Sequence, residues 1–337
     1  MIFDVLDKLD RRLVHALQLD GRVPFRKVAD VLAVSDQTIA RRYARLRSTG
    51  LIRVLGLTDP LRLGEIPWYV RVQCTPDAAL PVAEALARRD DTSWVNLIAG
   101  GTEVSALVRA RDGHDSRALL LQKLPRTPRV VGVTAHFFLH HFFGGALGLI
   151  NKLGALTPDE VQALTPPAQN GSACELTATD RKMLDVLGRD GRAGVVELAA
   201  ATGGSQTSVR RRLAELRDSG VLYFDVDLDD HLLAGNVRCA LWLVVAPAEL
   251  AAVGAALAEH PEVAFAAATT GQANLHATIV CRDVTALYTY LTTRIAALPA
   301  IQRVETLPII RTVKGPGNLQ MPALGGSMRN ETNRIHR

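Results

Sequence analysis

Laid over one another without a gap, residues 6–52 and 176–222 agree at fifteen of forty-seven positions, among them Asp10, Asp20, Gly21, Arg22, Ser35, Arg41, Arg42, Leu46, Arg47 and Gly50. After one inserted residue the offset moves from 170 to 171, and 68–112 matches 239–283 at nine positions, including Pro76, Leu86, Gly100 and Asp112. Such a repeat makes the 337-residue chain two copies of one unit, each holding a first and a second domain. Whatever fold forms here has to form twice. Positions that differ between the copies are where the two have been free to diverge.

One well-kept stretch in both copies reads as a basic helix. In Ser35 to Leu51, Ser35 is a suitable N-cap, and Ile39, Tyr43 and Leu46 recur at spacings of four and three, which gathers them on one apolar face. Gln37, Thr38, Arg41, Arg42 and Arg45 fall on the other faces, and Gly50 stops the helix. The second copy repeats the plan, with Ser205 as cap, Val209, Leu213 and Leu216 inward, Gln206, Thr207, Ser208, Arg210, Arg211 and Arg212 outward, and Gly220 as stop. Residues 36–47 and 206–217 each carry four Arg against one acidic residue, a net +3 apiece. A run of charge on a helix is ordinarily a solvated face. Two such helices at matching places in a repeat favour DNA contact instead, with Ser35, Gln37, Thr38, Arg41, Arg42 and Arg45, and Ser205 to Ser208 with Arg210 to Arg212, as the contacting residues.

The lead-in supports this. Asp7 and Thr177 each cap an amphipathic helix that ends at Asp-Gly-Arg, residues 20–22 and 190–192, where the aspartates read as turn residues. A short helix, a brief turn and the basic helix follow, which is the helix-turn-helix order. Leu51 to Leu57 and Val221 to Leu228 look extended, as a wing or a connecting strand. Strand-like runs at 66–74, 93–98, 104–110 and 130–139, with helical runs at 78–87 and 116–124, then give a βαββαβ order, and the second copy repeats it between 237 and 312. The chain therefore reads as α+β, two winged helix-turn-helix domains (1–60 and 175–230) alternating with two ferredoxin-like βαββαβ domains (61–150 and 231–315). A linker at 151–174 carries Pro166, Pro167 and Gly171, and a loose tail occupies 316–337.

A net charge of +5 would say little if spread evenly; its concentration on two helices is the informative point. No apolar run reaches membrane-helix length, and no leader is readable at the start, so a cytoplasmic protein without a membrane partner is expected. Cys74, Cys174, Cys239 and Cys281 stand apart, giving neither a zinc pattern nor a disulfide framework. No metal, cofactor or catalytic residue is expected.

With LDRRLVHALQLDGR leading in, GLIRVLGLTDPLRLG leading out and a βαββαβ domain after them, the chain resembles the Lrp/AsnC family of bacterial feast-and-famine transcription regulators, twice over between residues 4 and 314. That resemblance implies double-stranded DNA as partner. It also implies homo-oligomers, here dimers or tetramers of a fused chain in which the two βαββαβ domains pair internally. It further implies a small amino-acid-like effector near a Gly-x-x-Asp loop, which matches here as Gly100-Gly101-Thr102-Glu103 and Gly271-Gln272-Ala273-Asn274. Neither copy keeps the aspartate, so the Glu103 copy is expected to favour an ammonium group and the Asn274 copy is not.

Two other functions compete with regulation. One is a siroheme-decarboxylase-like tetrapyrrole enzyme on the same fold; the other is a ligand-binding module with vestigial DNA-binding helices. The segment His136 to Phe143 bears on the first. Alternation puts His136, Phe138 and His140 on one face, and the second copy has no His there, which favours a packed or interfacial edge over a ligand site.

Overall fold

The computed structural model describes residues 6–110, 119–144, 154–167, 175–229 and 237–316. Cys174, the start of the helical run expected at 116–124, most of the linker's Gly-rich end and nearly all of the tail lie outside the described residues.

Each copy opens with three helices: α1 (Lys8–Leu19), α2 (Phe25–Leu32) and α3 (Asp36–Ser48) in the first, and α6 (Ala178–Leu187), α7 (Val195–Thr202) and α8 (Gln206–Asp218) in the second. Their starts are fixed by the side chains the sequence singled out. Asp7 accepts from the Asp10 N–H at 2.8 Å, Ser35 from Thr38 at 3.1 Å and Ser205 from Ser208 at 3.1 Å, each satisfying a backbone donor with no partner inside its helix. Thr177 and Asp180 cap one another's backbone reciprocally.

The extended segments after each basic helix are β1 (Ile52–Thr58) and β6 (Leu222–Leu228). They pair with each other in antiparallel register, Leu55 opposite Asp225, so of the two readings it is the connecting strand that forms. Leu55 and Asp225 are equivalent positions of the two copies, so a pseudo-two-fold axis passes between them. The ribbon's inner side chains, Ile52, Val54, Phe224 and Val226, join one core shared by both helical units.

A helix absent from the sequence reading, α5 (Pro158–Leu164), lies inside the expected linker. Thr157 and Glu160 form its capping box, Leu156 and Leu164 enter the shared core, and Glu160 pairs with Arg12 of α1. The signal was legible as Thr-Pro-x-Glu ahead of a short apolar pattern.

The remaining eight strands are β2 (Ile66–Cys74), β3 (Thr92–Ile98), β4 (Glu103–Ala110), β5 (Val130–Phe143), β7 (Val237–Val245), β8 (Val263–Thr269), β9 (Leu275–Cys281) and β10 (Ile301–Lys314). They close into one barrel in the order β10-β3-β4-β2-β5-β8-β9-β7. Each half is a βαββαβ sheet covered outside by helices, chiefly α4 (Ala79–Ala87) in the first, and α9 (Leu250–Glu259) and α10 (Val284–Tyr290) in the second.

Closure comes from the fourth strands. Both are fourteen residues long and begin on their own sheet, β5 on β2 and β10 on β7. They then cross to the other half, with Phe138 opposite Thr269 on β8 and Ile309 opposite Ile98 on β3. The internal pairing of the two domains is thus realised strand by strand, and the barrel has no unpaired edge.

This accounts for the His136 to Phe143 segment. It is the seam, and irregularities between Phe138 and His140, and again between His141 and Phe143, shift the phase of alternation. His141, rather than the expected His140, therefore lies with Phe138 and Phe265, at 5.5 and 5.4 Å between ring centres. Phe142 seats against α9 at Gly254, where an added Cβ would sit 2.2 Å from the ring.

Candidate nucleic-acid interface and effector site

On the two basic helices the arginines fall into two groups. Arg42 and Arg212, equivalent in the repeat, turn back onto buried carboxylates of the first helix in their unit. Arg42 reaches Asp10 at 2.9 Å and Asp7 at 2.5 Å, while Arg212 reaches Asp180 at 2.8 Å and the Glu175 carbonyl at 3.0 Å. Asp10 and Asp180 are only 1% and 2% exposed, so each needs this partner. Arg45 also binds Asp10, at 2.5 Å. These side chains brace the helix against its own unit. Replacing Asp10 by Ala is expected to destabilise the protein by about 2 kcal/mol, because a charge-assisted contact is lost and Arg42 is left half-buried; thermal unfolding compared with Asp36→Ala measures it.

Arg41, in contrast, is exposed and makes no ion pair among the described residues. Its equivalent Arg211 is 78% exposed and only loosely drawn to Glu215, at 3.7 Å. Gln37, Gln206, Thr207, Ser208 and Arg210 are exposed as well, with Thr38 half-buried. The outward surfaces differ chemically: at equivalent positions of the repeat Gln37 is matched by Thr207 and Ala40 by Arg210.

The expected effector loops are placed differently from one another. In the first, Gly100 and Gly101 adopt φ of 71° and 85° in a tight turn. Glu103, only 5% exposed, points into the barrel and is held by Arg71, which also binds Glu305 at 3.1 Å. In the second, Asn274 accepts from the Val245 N–H at 2.9 Å and donates to its carbonyl at 2.8 Å, locking the turn to β7. Gly271, at φ 110°, lies against His136, whose Nδ1 is 2.7 Å from the Thr270 carbonyl oxygen. Glu103, which was expected to receive an ammonium group, and Asn274, which was not, are therefore both engaged by their own chain. Gln272 and Ala273 complete the second turn, and Thr102 bonds the Ala99 carbonyl in the first.

Between the two sheets the copies have diverged most. At an offset of 171, Arg71 faces Trp242 and Ser105 faces His276. Tyr69, Phe138, Trp242 and Ala267 form a small core there, with Arg71 lying 5.4 Å over the Trp242 ring. His276 packs 4.6 Å from Trp242 and 4.7 Å from Tyr69, and burial pushes its imidazole down to about 3. His276 Nδ1 and Trp242 Nε1 are both buried with no hydrogen-bond partner. Alternation alone did not single out this cluster, since its members come from five strands and both copies.

Comparison with known proteins decides the family. The AsnC-type helix-turn-helix domain matches residues 6–47 and again 176–217, and the Lrp/AsnC ligand binding domain matches 239–319. An HTH-type transcriptional regulator of Pyrococcus furiosus is 30% identical over 122 residues, 36% of this chain and 82% of that protein. The chain belongs to the Lrp/AsnC family of transcription regulators. Another relative, the proline dehydrogenase transcriptional activator of Rhodobacter capsulatus, is 30% identical over 138 residues, 40% of this chain and 90% of that one. Relatives of this kind correspond to a single unit, so the chain is a tandem Lrp/AsnC protein. Among solved structures, the siroheme decarboxylase NirDL covers 92% of the chain and 93% of its own at a TM-score of 0.62 and 14% identity, a likeness of fold alone. No helix among the described residues is long and apolar enough to cross a membrane.

Proposed function

We propose that one chain acts as a complete DNA-binding unit, with α3 and α8 presented to successive major grooves and Gln37, Thr38, Arg41, Thr207, Ser208, Arg210 and Arg211 turned to the DNA. The observation that carries this is the division among the arginines. The copies keep Arg42 and Arg212 for bracing, and both keep Arg41 and Arg211 exposed on the outer face. Arginine there can grip phosphates or read guanine edges. Because Gln37 and Ala40 are matched by Thr207 and Arg210 in the other copy, the two half-sites differ, and DNA selected from a random pool should be asymmetric. A strictly palindromic preference would contradict one chain reading both halves.

Replacing Arg41 and Arg211 together by Ala should weaken binding tenfold or more and reduce the salt slope of log Kd by about 2, one for each phosphate contact removed. Unchanged affinity and slope would remove the proposal.

The regulator reading also includes a small amino-acid-like effector. With Glu103 and Asn274 engaged internally, the Gly100 and Gly271 turns offer backbone groups to such a ligand, and any charge selectivity comes from elsewhere in the barrel. Against a tetrapyrrole enzyme stand the commitments of the interior: Arg71 serves two carboxylates and His276 is wedged among rings. Absorbance of the purified protein in the porphyrin region tests that alternative. Assembly of several fused chains would use exposed helix faces, such as that of Val284 and Tyr288, since the closed barrel leaves no sheet edge.

A further inference from the structure

The Asp-Gly-Arg turns, read from sequence as local features, meet at the pseudo-two-fold axis and grip each other's unit. Arg22 donates to the Gly191 carbonyl at 2.7 Å and to that of Ala193 at 3.0 Å. Arg192 donates to Gly21 at 2.7 Å and to Val23 at 3.1 Å. Asp20 accepts from Arg217 at 2.9 Å, and Asp190 from Arg47 at 2.8 Å. Every member has its equivalent 170 residues away, so the contacts form one reciprocal set.

Aromatic rings back the guanidinium groups. Arg22 and Arg217 lie 5.7 and 5.4 Å from the Phe224 ring centre, and Arg192 lies 4.3 Å from Phe25 and 5.4 Å from Tyr43. The glycines permit the close approach. A Cβ on Gly21 would stand 2.6 Å from that of Phe224, and one on Gly191 would stand 2.9 Å from the Leu55 backbone.

What this set touches gives it a role. Arg47 and Arg217 lie in the last turns of α3 and α8, and Tyr43 is on the buried face of α3. The grip therefore runs from the end of each basic helix to the opposite unit's turn. Without it, the two units would be joined by the β1–β6 ribbon, with its Arg53–Asp227 pair, and by apolar contacts, which are non-directional. A two-stranded ribbon tolerates a wide range of twist. Charged, geometrically specific contacts at the helix ends remove that freedom.

We infer that the Asp20–Arg217 and Asp190–Arg47 pairs, with Arg22 and Arg192, are positioning residues that fix the separation of the two basic helices and so set which half-site spacing the protein accepts. This rests on the reading of α3 and α8 as the DNA-contacting helices. Helix-turn-helix pairs bind half-sites about one helical turn apart, and rotating one half-site by a base pair displaces its groove by about 34° around the duplex axis. A rigid pair rejects that displacement. A loosened pair accepts it.

The test uses the full chain in two variants. Arg47→Ala with Arg217→Ala removes the outer pairs, and Asp20→Asn with Asp190→Asn keeps the turn acceptor while removing the charge. Spin labels at Ala44→Cys and Ala214→Cys, exposed and equivalent, report the helix separation without DNA. The wild type should give one narrow distance distribution, and both variants a distribution at least twice as broad. On DNA selected by the wild type and then altered in spacing by single base pairs, the wild type should lose tenfold or more per step and the variants threefold or less, with affinity at the best spacing little changed. An unaltered distance distribution in both variants overturns the inference, as does an unaltered spacing profile. A narrow, clasp-dependent distribution in a wild type that binds no DNA would overturn the spacing role by way of the DNA reading, because the clasp itself would still be seen to hold the helices.

Discussion

Replacing Asp225 by Asn is expected to raise the unfolding free energy at pH 8 by about 2–4 kcal/mol, with the gain fading to nothing near pH 4. Asp225 sits in β6 directly opposite its own counterpart Leu55. Burial pushes its carboxyl up to about 7; the Val226 N–H, at 2.7 Å, pulls it back, and the neighbouring Asp227 charge adds to the rise. Between about pH 4 and 7 the folded chain holds a proton that the unfolded chain gives up. Stability therefore falls as pH rises through that window, and above it the full penalty is present. Each pH unit is worth about 1.4 kcal/mol, and an amide, with its own smaller burial penalty, recovers most of the sum. Urea unfolding of both proteins from pH 4 to 8 measures the difference. Parallel curves would show that Asp225 ionises freely in the folded state.

His276→Leu is expected to act in the opposite sense. Burial among Tyr69, Trp242 and Phe138 pushes the folded imidazole down to about 3, whereas in the unfolded chain it titrates near 6.5. As pH falls below 6.5 the unfolded chain takes up a proton that the folded chain refuses, so stability is lost progressively down to about 3. Between pH 7 and pH 4.5 the wild type should lose about 2–3 kcal/mol more than the variant. The two residues oppose each other over the same range. The wild-type profile should thus be flatter than that of either variant, Asp225→Asn losing stability toward acid and His276→Leu losing it toward neutral pH. A His276→Leu curve with the wild-type slope would mean that the imidazole reaches water in the folded protein.

The single chain carries both copies of the unit paired with each other, and that has a consequence for divergence. In a homodimer, a change at the sheet-to-sheet interior appears on both sides at once. Here Arg71 and Trp242 occupy equivalent positions and lie one over the other, an arrangement that two identical subunits cannot make at a two-fold axis. The same holds for Leu55 and Asp225 in the ribbon. Fusion has let the interior become asymmetric while the outer frame, the caps and the Asp-Gly-Arg turns stay paired.

The sequence by itself determined the elements and their order, because caps, spacing of apolar residues and turn glycines act within a few residues of one another. Ser35, Thr177 and Ser205 begin helices as their side chains require, and Ile66 to Cys74 and Val237 to Val245 are strands as their composition demands. Reading one copy against the other also exposed the duplication, which periodicity within either copy could not. Tertiary structure alone decided where those elements met. It turned Arg42 and Arg212 inward, since Asp10 and Asp180, thirty-two residues earlier in each copy, are buried without them. It engaged Glu103 with Arg71 and Glu305, and joined Asp20 to Arg217 and Asp190 to Arg47 across 197 and 143 residues. A charge on a helix surface looks the same in sequence whether its partner is a phosphate, water or a distant carboxylate. Only the distance to that partner, set by the closure of the fold, tells them apart.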